Sequence, residues 1–311
     1  MKATMKRTAR LAVAVVILVV SAVPALAKVK VVATISDLGS LVEIVGGDEV
    51  EVTVLCPGDR DPHFLPAKPS LARKLGRADL LVYNGLELEI GWLPLLIGKA
   101  RNPAINPGTQ GDVDCSAAVT ELLEVPTTQV DRSEGDVHPM GNPHYTLDPR
   151  RAVLVANYLA ERLGQIDGQH AAGYQERAEA FGRDVATRTL RWKAETAPTA
   201  ERPVIIYHRT WAYLVDFLQL DVVGEIEHRP GISPSPRHVQ RLIEQARQLD
   251  DLLVVSATWD HHHVSTEVAE RAGGVAVVLP AQTGAGDETG NYLDHMDTIC
   301  RKLAAAGKSG Q

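Results

Sequence analysis

The strongest constraint on this chain is an alternation of β-branched runs with short helical stretches, written twice. "KVKVVATI" (28–35) precedes "SDLGSLVEIVGGD", whose apolar spacing is helical and whose Gly-Gly ends it. "VEVTVLC" (50–56) and "DLLVYNG" follow, with the helix "LARKLGRA" between them. Further on, "RPVIIYH" (202–208), "DVVGEI" and "DDLLVVSA" alternate with "TWAYLVDFLQL" and "RHVQRLIEQARQL". Such alternation predicts an α/β fold with mostly parallel sheets. "PAKPSLARKLGRADLLVYNG" (66–85) and "SPSPRHVQRLIEQARQLDDLLVVSA" (233–257) share one layout of proline, serine, short helix and Asp-Leu-Leu-Val. That echo predicts two similar lobes, with a ligand site in the cleft at the carboxyl ends of their strands.

Between the halves runs "GQHAAGYQERAEAFGRDVATRTLRWKAETA" (168–197), with Tyr174, Ala178, Phe181, Val185 and Trp192 at helical intervals. As one helix it spans about 40 Å at ~1.5 Å per residue, more than one compact lobe needs, and so reads as a rigid connector. The alternative is two shorter helices broken at Gly182. The expected organisation is a signal peptide at 1–27, an N-terminal lobe at 28–167, a connecting helix at 168–198 and a C-terminal lobe at 199–311. Asp148 and Pro149 supply an N-cap and first-turn pair for the helix "RRAVLVANYLAERLGQ".

The first residues read as a targeting segment. Lys2, Lys6, Arg7 and Arg10 precede the apolar "LAVAVVILVVSAV", and "ALA" (25–27) is a small-residue cleavage site. The apolar run is shorter than the ~20 residues that span a bilayer. No cysteine stands just after the cleavage site, which argues against a lipid anchor there. The expectation is an exported protein cut near Ala27. Its net charge of −7 lacks the basic face that nucleic acid requires. Cys56, Cys115 and Cys300 allow one disulfide with one thiol left over, and their spacing is not that of a zinc knuckle.

Three of the eleven histidines share a context that the others lack. His63 lies in the loop after "VEVTVLC", His144 just ahead of the Asp148-capped helix, and His208 at the end of "VIIYH". Each sits where a strand or loop hands over to a helix, at the cleft edge of its lobe. Pro62 and Pro143 stiffen the backbone before two of them. Neutral imidazoles on rigid turns suit a tetrahedral Zn²⁺. Their separations of about 80 and about 65 residues form no local ligand motif.

"DPHFLPAKPSLARKLGRADLLVYNGLELE" (61–89), "GNPHYTLDPRRAVLVANYLAERL" (141–163), "YHRTWAYLVDFLQL" (207–220) and "PGISPSPRHVQRLIE" (230–244) resemble the metal-binding solute-binding proteins of ABC transporters. These are the periplasmic zinc and manganese receptors. The resemblance covers nearly all of the chain after the targeting segment. It implies two α/β lobes joined by one long backbone helix, with a metal between them. It also implies no enzymatic activity, a periplasmic location, and an ABC transporter permease in the inner membrane as partner. The receptor is expected to act as a monomer. The family's ligand positions fall on His63, His144 and His208. Manganese-type members usually carry a carboxylate at the third position, so His208 favours Zn²⁺ over Mn²⁺.

The chain departs from the family after its last strand, where "GVAVVLP" runs into "AQTGAG" with no carboxylate before Asp287 and Glu288. The common Glu-Pro after the preceding strand is replaced by "SATWD". The fourth ligand is left open among water, Asp287, Glu288 or another residue. His138 reads as a mobile loop residue or an access contact. "DHHH" (260–263) reads as an exposed turn before the helix "STEVAERAGG", with a metal-loading patch as the alternative. His228 and His238 read as surface residues, and His170 and His295 as helical residues without a function. A zinc hydrolase would need a general base that no adjoining motif supplies, and a surface adhesin or manganese receptor of the same fold completes the alternatives.

Overall fold

The computed structural model describes residues 27–128, 135, 137–286 and 288–308. The expected signal peptide therefore lies outside the described residues, save Ala27, and so does Asp287. Two four-stranded parallel sheets form the framework. The first contains β1 (Val29–Ile35), β2 (Val50–Cys56), β3 (Leu80–Tyr83) and β4 (Asp112–Asp114), in the order β2-β1-β3-β4. The second contains β5 (Pro203–Ile206), β6 (Asp221–Glu225), β7 (Leu253–Ala257) and β8 (Val275–Leu279), in the order β6-β5-β7-β8. The lobes thus have the same topology, as the repeated layout predicts.

Interior strands explain why the apolar runs do not alternate. Val31 of β1 pairs with Val52 on one side and Leu80 on the other. β7 is buried at all five positions. Parallel strands covered on both faces need apolar side chains on both.

Nine helices surround the sheets among the described residues: α1 (Ser36–Gly46), α2 (Pro69–Leu75), α3 (Leu93–Ala100), α4 (Pro149–Ile166), α5 (Ala171–Ala200), α6 (Ala212–Leu218), α7 (Pro236–Ala246), α8 (His262–Ala272) and α9 (Tyr292–Lys308). Asp148 caps α4 by accepting from the Arg150 amide, with Pro149 at the first position. α4 buries Ala152, Val155, Ala156, Leu159 and Leu163 along one face.

The connecting helix α5 is continuous through Gly182, so the two-helix alternative does not hold. It runs three residues later at its start than the expected 168–198 and ends at Ala200, just past Pro198. Tyr174, Ala178, Phe181, Val185 and Trp192 are all buried. Packing of that stripe outweighs the ~1 kcal/mol cost of an internal glycine. Phe181 and Trp192 belong to one apolar cluster that also includes Val31 and Leu80 of the first sheet and Val204 and Leu253 of the second.

Gly58 marks where the lobes touch near the cleft. A Cβ there would lie 2.0 Å from the carbonyl oxygen of Thr283. Only glycine lets the loop after β2 pass so close to the loop after β8. Beside it, the fully buried Asp37 of α1 accepts from the Thr283 amide (2.7 Å), from Thr283 Oγ1 (2.8 Å) and from Thr146 Oγ1 (2.8 Å).

No disulfide forms among the described residues, contrary to the pairing the cysteine count allows. Cys56, Cys115 and Cys300 are buried thiols. Cys56 lies in a different apolar cluster from the other two, and burial pushes its pKa up to about 12.

Candidate metal centre

Each of the three expected histidines is set by a short helical turn. Asp61 caps the turn Pro62–Phe64 by accepting from the His63 amide, and Trp92 Nε1 donates to Pro62 O at 2.8 Å. His144 precedes the turn Tyr145–Leu147, its amide donating to Asn142 Oδ1 at 2.9 Å. Asn84 Nδ2 donates to Pro143 O at 2.8 Å, and Tyr145 Oη donates to Asn84 O at 2.6 Å. His208 follows β5 and precedes the turn Arg209–Trp211. Asn142 Nδ2 donates to Arg209 O at 2.8 Å, tying the His144 loop to the His208 loop.

The fold brings the three together. One ring nitrogen from each of His63, His144 and His208 lies within 4.8 Å of those of the other two. Ring centroids are 5.2 Å apart for His63 and His144, 5.9 Å for His63 and His208, and 6.0 Å for His144 and His208. Three ring nitrogens this close, from three separate loops, could hold a metal ion.

Carboxylates orient two of the rings. His63 Nδ1 donates to Asp61 Oδ1 at 2.7 Å, and His208 Nδ1 donates to Glu227 Oε2 at 2.6 Å. A ring whose Nδ1–H is held by a carboxylate presents its Nε2 lone pair and is the more basic for it. Nothing in the sequence near His208 signals Glu227, because the strand pairing of β6 with β5 delivers it. Asp61 stands two residues from His63, so its signal is in the chain itself.

The electrostatics are uneven. Burial holds His144 well below the ordinary histidine pKa, reinforced by His63, His208 and His138, and its Nε2 is buried with no hydrogen-bond partner. Burial alone would lower His208, but the hydrogen bond and charge of Glu227 outweigh it and raise its pKa. Burial would likewise raise Asp61, and the hydrogen bond and charge of His63 pull it below the ordinary range. Asp260, in the "SATWD" segment, shares a cavity of about 220 Å³ with Asp61, His63, His208 and Glu227. Burial lifts its pKa to about 6, while the Ala257 amide donates to its Oδ2 at 2.6 Å.

His138 departs from expectation. It is not a loop residue in the open: it is 9% exposed, its Nδ1 donates to Leu86 O at 2.8 Å, and its Nε2 lies 3.2 Å from His63 Nε2. Glu288 is exposed, with its carboxylate paired to Arg301. The "DHHH" tract is not all turn, because α8 begins at His262, whose Nε2 donates to Ala257 O at 2.9 Å. His295 is fully buried and donates from Nε2 to Pro280 O at 3.0 Å. No described helix is long and apolar enough to cross a membrane.

Two parallel α/β lobes spanned by one helix, with imidazoles gathered from loops of both, define the substrate-binding proteins of metal-ion ABC transporters. The chain belongs to the family ZnuA, zinc-uptake complex component A periplasmic, whose model matches residues 31–306. A manganese-binding lipoprotein, MntA of Halalkalibacterium halodurans, is 25% identical over 274 residues, covering 86% of this chain and 84% of that protein. The high-affinity zinc uptake system protein ZnuA of Brucella abortus is 28% identical over 113 residues, a match spanning 36% of this chain and 34% of that one. A crystal structure of ZnuA superposes with a TM-score of 0.73 at 23% identity, covering 90% of this chain and all of the other. Proteins of this class bind a divalent metal ion and present it to an ABC transporter permease. They are receptors and not enzymes, which sets the hydrolase reading aside.

Proposed function

We propose that the protein is a periplasmic zinc receptor, freed from its signal peptide near Ala27, that binds Zn²⁺ through His63, His144 and His208 and delivers it to an inner-membrane permease. The observation that carries this reading is the convergence of three ring nitrogens within 4.8 Å, two of them on rings oriented by carboxylates. The donors are nitrogens, which suit Zn²⁺, whereas Mn²⁺ prefers oxygen. The manganese reading draws on the name of the Halalkalibacterium relative and on the nearness of Asp61, Glu227 and Asp260 to the rings.

Metal titration of the purified protein separates the two. Zinc should bind far more tightly than manganese, and His144→Ala should weaken zinc by at least about 100-fold, the upper end of the cost of losing even an outer-shell partner. Tighter manganese binding, or a zinc dissociation constant unchanged by His144→Ala, would overturn the proposal.

A further inference from the structure

We infer that the segment Asn84–Trp92 is a caliper that sets the separation of His63 and His144, with Asn84 and Trp92 as positioning residues at its two ends. The inference rests on the metal-receptor reading above and concerns what holds those two ligands in register. The fully buried Asn84 follows β3, and the buried Trp92 leads into α3. Asn84 Nδ2 donates to Pro143 O at 2.8 Å, and Trp92 Nε1 donates to Pro62 O at 2.8 Å. Each end of the segment thus grips the carbonyl of the proline that immediately precedes a ligand. Tyr145 Oη closes the His144 end from the other side, donating to Asn84 O at 2.6 Å.

His144 depends on this grip more than its partners do. Asp61 and Glu227 hold the Nδ1 hydrogens of His63 and His208. Among the described residues no carboxylate holds the His144 ring, and its Nε2 is buried without a hydrogen-bond partner. The main chain on either side therefore sets its place. Asn142 Nδ2 ties that chain to Arg209 O in the second lobe, and Asn84 ties it to the first, where His63 stands.

Glu89 fixes the span between the two ends. Its buried carboxylate accepts from Thr34 Oγ1 of β1 at 2.6 Å, from the Asn84 amide at 2.7 Å and from the Gly85 amide at 3.2 Å. Its carbonyl accepts from the Trp92 amide at 3.1 Å. One residue meets both ends and anchors them to an interior strand. The turn that brings it there is strained: Gly85, Leu86 and Glu87 have φ of +80°, +52° and +62°, a region that leucine and glutamate enter only at a cost. Such strain persists where the surroundings over-determine it, and it gathers where a site is preorganised. Ligands have to be held to within about 0.5 Å, and bonds from the ends of a strand and a helix supply that precision.

Zinc affinity, read by competition with chromophoric chelators of graded strength, tests the caliper in the full-length mature protein. Asn84→Ala removes one grip and Trp92→Phe the other, and each should weaken zinc about 10-fold, the lower end of the cost of losing an outer-shell partner. Each loss should vanish once the ligand it acts through is gone. Asn84→Ala should cost under about 2-fold in a His144→Ala background, and Trp92→Phe under about 2-fold in a His63→Ala background. A purely structural role would leave both losses in place. Asn102→Ala is the control: its Nδ2 bridges Leu75 O and Ala78 O, so it should lower the melting temperature and leave zinc affinity unchanged. Tyr145→Phe removes only a hydroxyl, should weaken zinc about 5-fold, and covers the case in which Asn84→Ala fails to fold. Losses that persist at full size in the His144→Ala and His63→Ala backgrounds, an equal loss in the control, or wild-type affinity in all three caliper variants would overturn the caliper alone. Wild-type affinity in His144→Ala and His63→Ala themselves, or no zinc uptake by the wild type, would overturn the receptor reading and the caliper with it.

Discussion

Replacing Glu227 with glutamine should weaken zinc binding about 5- to 12-fold without disturbing the fold. Glu227 Oε2 accepts from His208 Nδ1 at 2.6 Å and from the Gly231 amide at 3.0 Å. Both donors meet the same oxygen, so a glutamine carbonyl can take its place in both bonds. What is lost is the charge. Hydrogen bonds to charged groups contribute ~1.5–3 kcal/mol and neutral ones ~0.5–1.5, a difference of about 1–1.5 kcal/mol. Loading the ion draws electron density from His208, so that difference falls on the bound state and becomes roughly 5- to 12-fold in affinity. The assay is competition against a chromophoric zinc chelator at neutral pH, with metal-free thermal melts to verify folding. Glu225→Gln is the control, since Glu225 pairs with Arg209 at 3.1 Å and touches none of the three rings. An unchanged dissociation constant for Glu227→Gln, or an equal loss in the control, would refute the reasoning.

Asp37→Ala strips three hydrogen bonds from one buried carboxylate and leaves the Thr283 and Thr146 donors without it, so the unfolding free energy should drop by about 3–5 kcal/mol in denaturant titration; a loss under about 1 kcal/mol would show that the lobes do not depend on this contact. Burial raises the Glu89 pKa to about 7 from its ordinary 4.5, opposed by hydrogen bonds from Thr34, Asn84 and Gly85. The folded protein therefore holds this proton more tightly than the unfolded chain, so stability present at low pH is lost as pH rises from about 4.5 through 7, by on the order of 3 kcal/mol. Glu89→Gln should flatten that slope in urea titrations at several pH values, and a slope identical to wild type would dismiss the account.

The fold was legible because its physics is local. Strands buried on both faces have to be written as runs such as "VVATI", and Asp148-Pro149 announces α4 wherever it packs. β4 was not legible: three residues, Asp-Val-Asp, hold their place at the sheet edge only by pairing with β3. His144 stood out because its proline and its helix start lie within five residues. His138 did not, since its frame is a carbonyl 52 positions away and the ring of His63. Glu227 was hidden for the same reason, 19 positions from the histidine it orients. Chain neighbours fix where a side chain begins, and tertiary contacts decide what its far end meets.

The apolar cluster running from the first sheet through Phe181 and Trp192 into the second has a mechanical consequence. Swinging the halves apart as rigid jaws would wet that cluster. At ~25 cal/mol per Å², exposing about 400 Å² costs on the order of 10 kcal/mol, comparable to the whole stability of a typical domain. Cargo exchange by such a swing would be nearly as costly as unfolding. The cheaper route leaves α5 and both sheets at rest and moves only the turns that carry the histidines, so a docked permease need only work on the rim of the cleft.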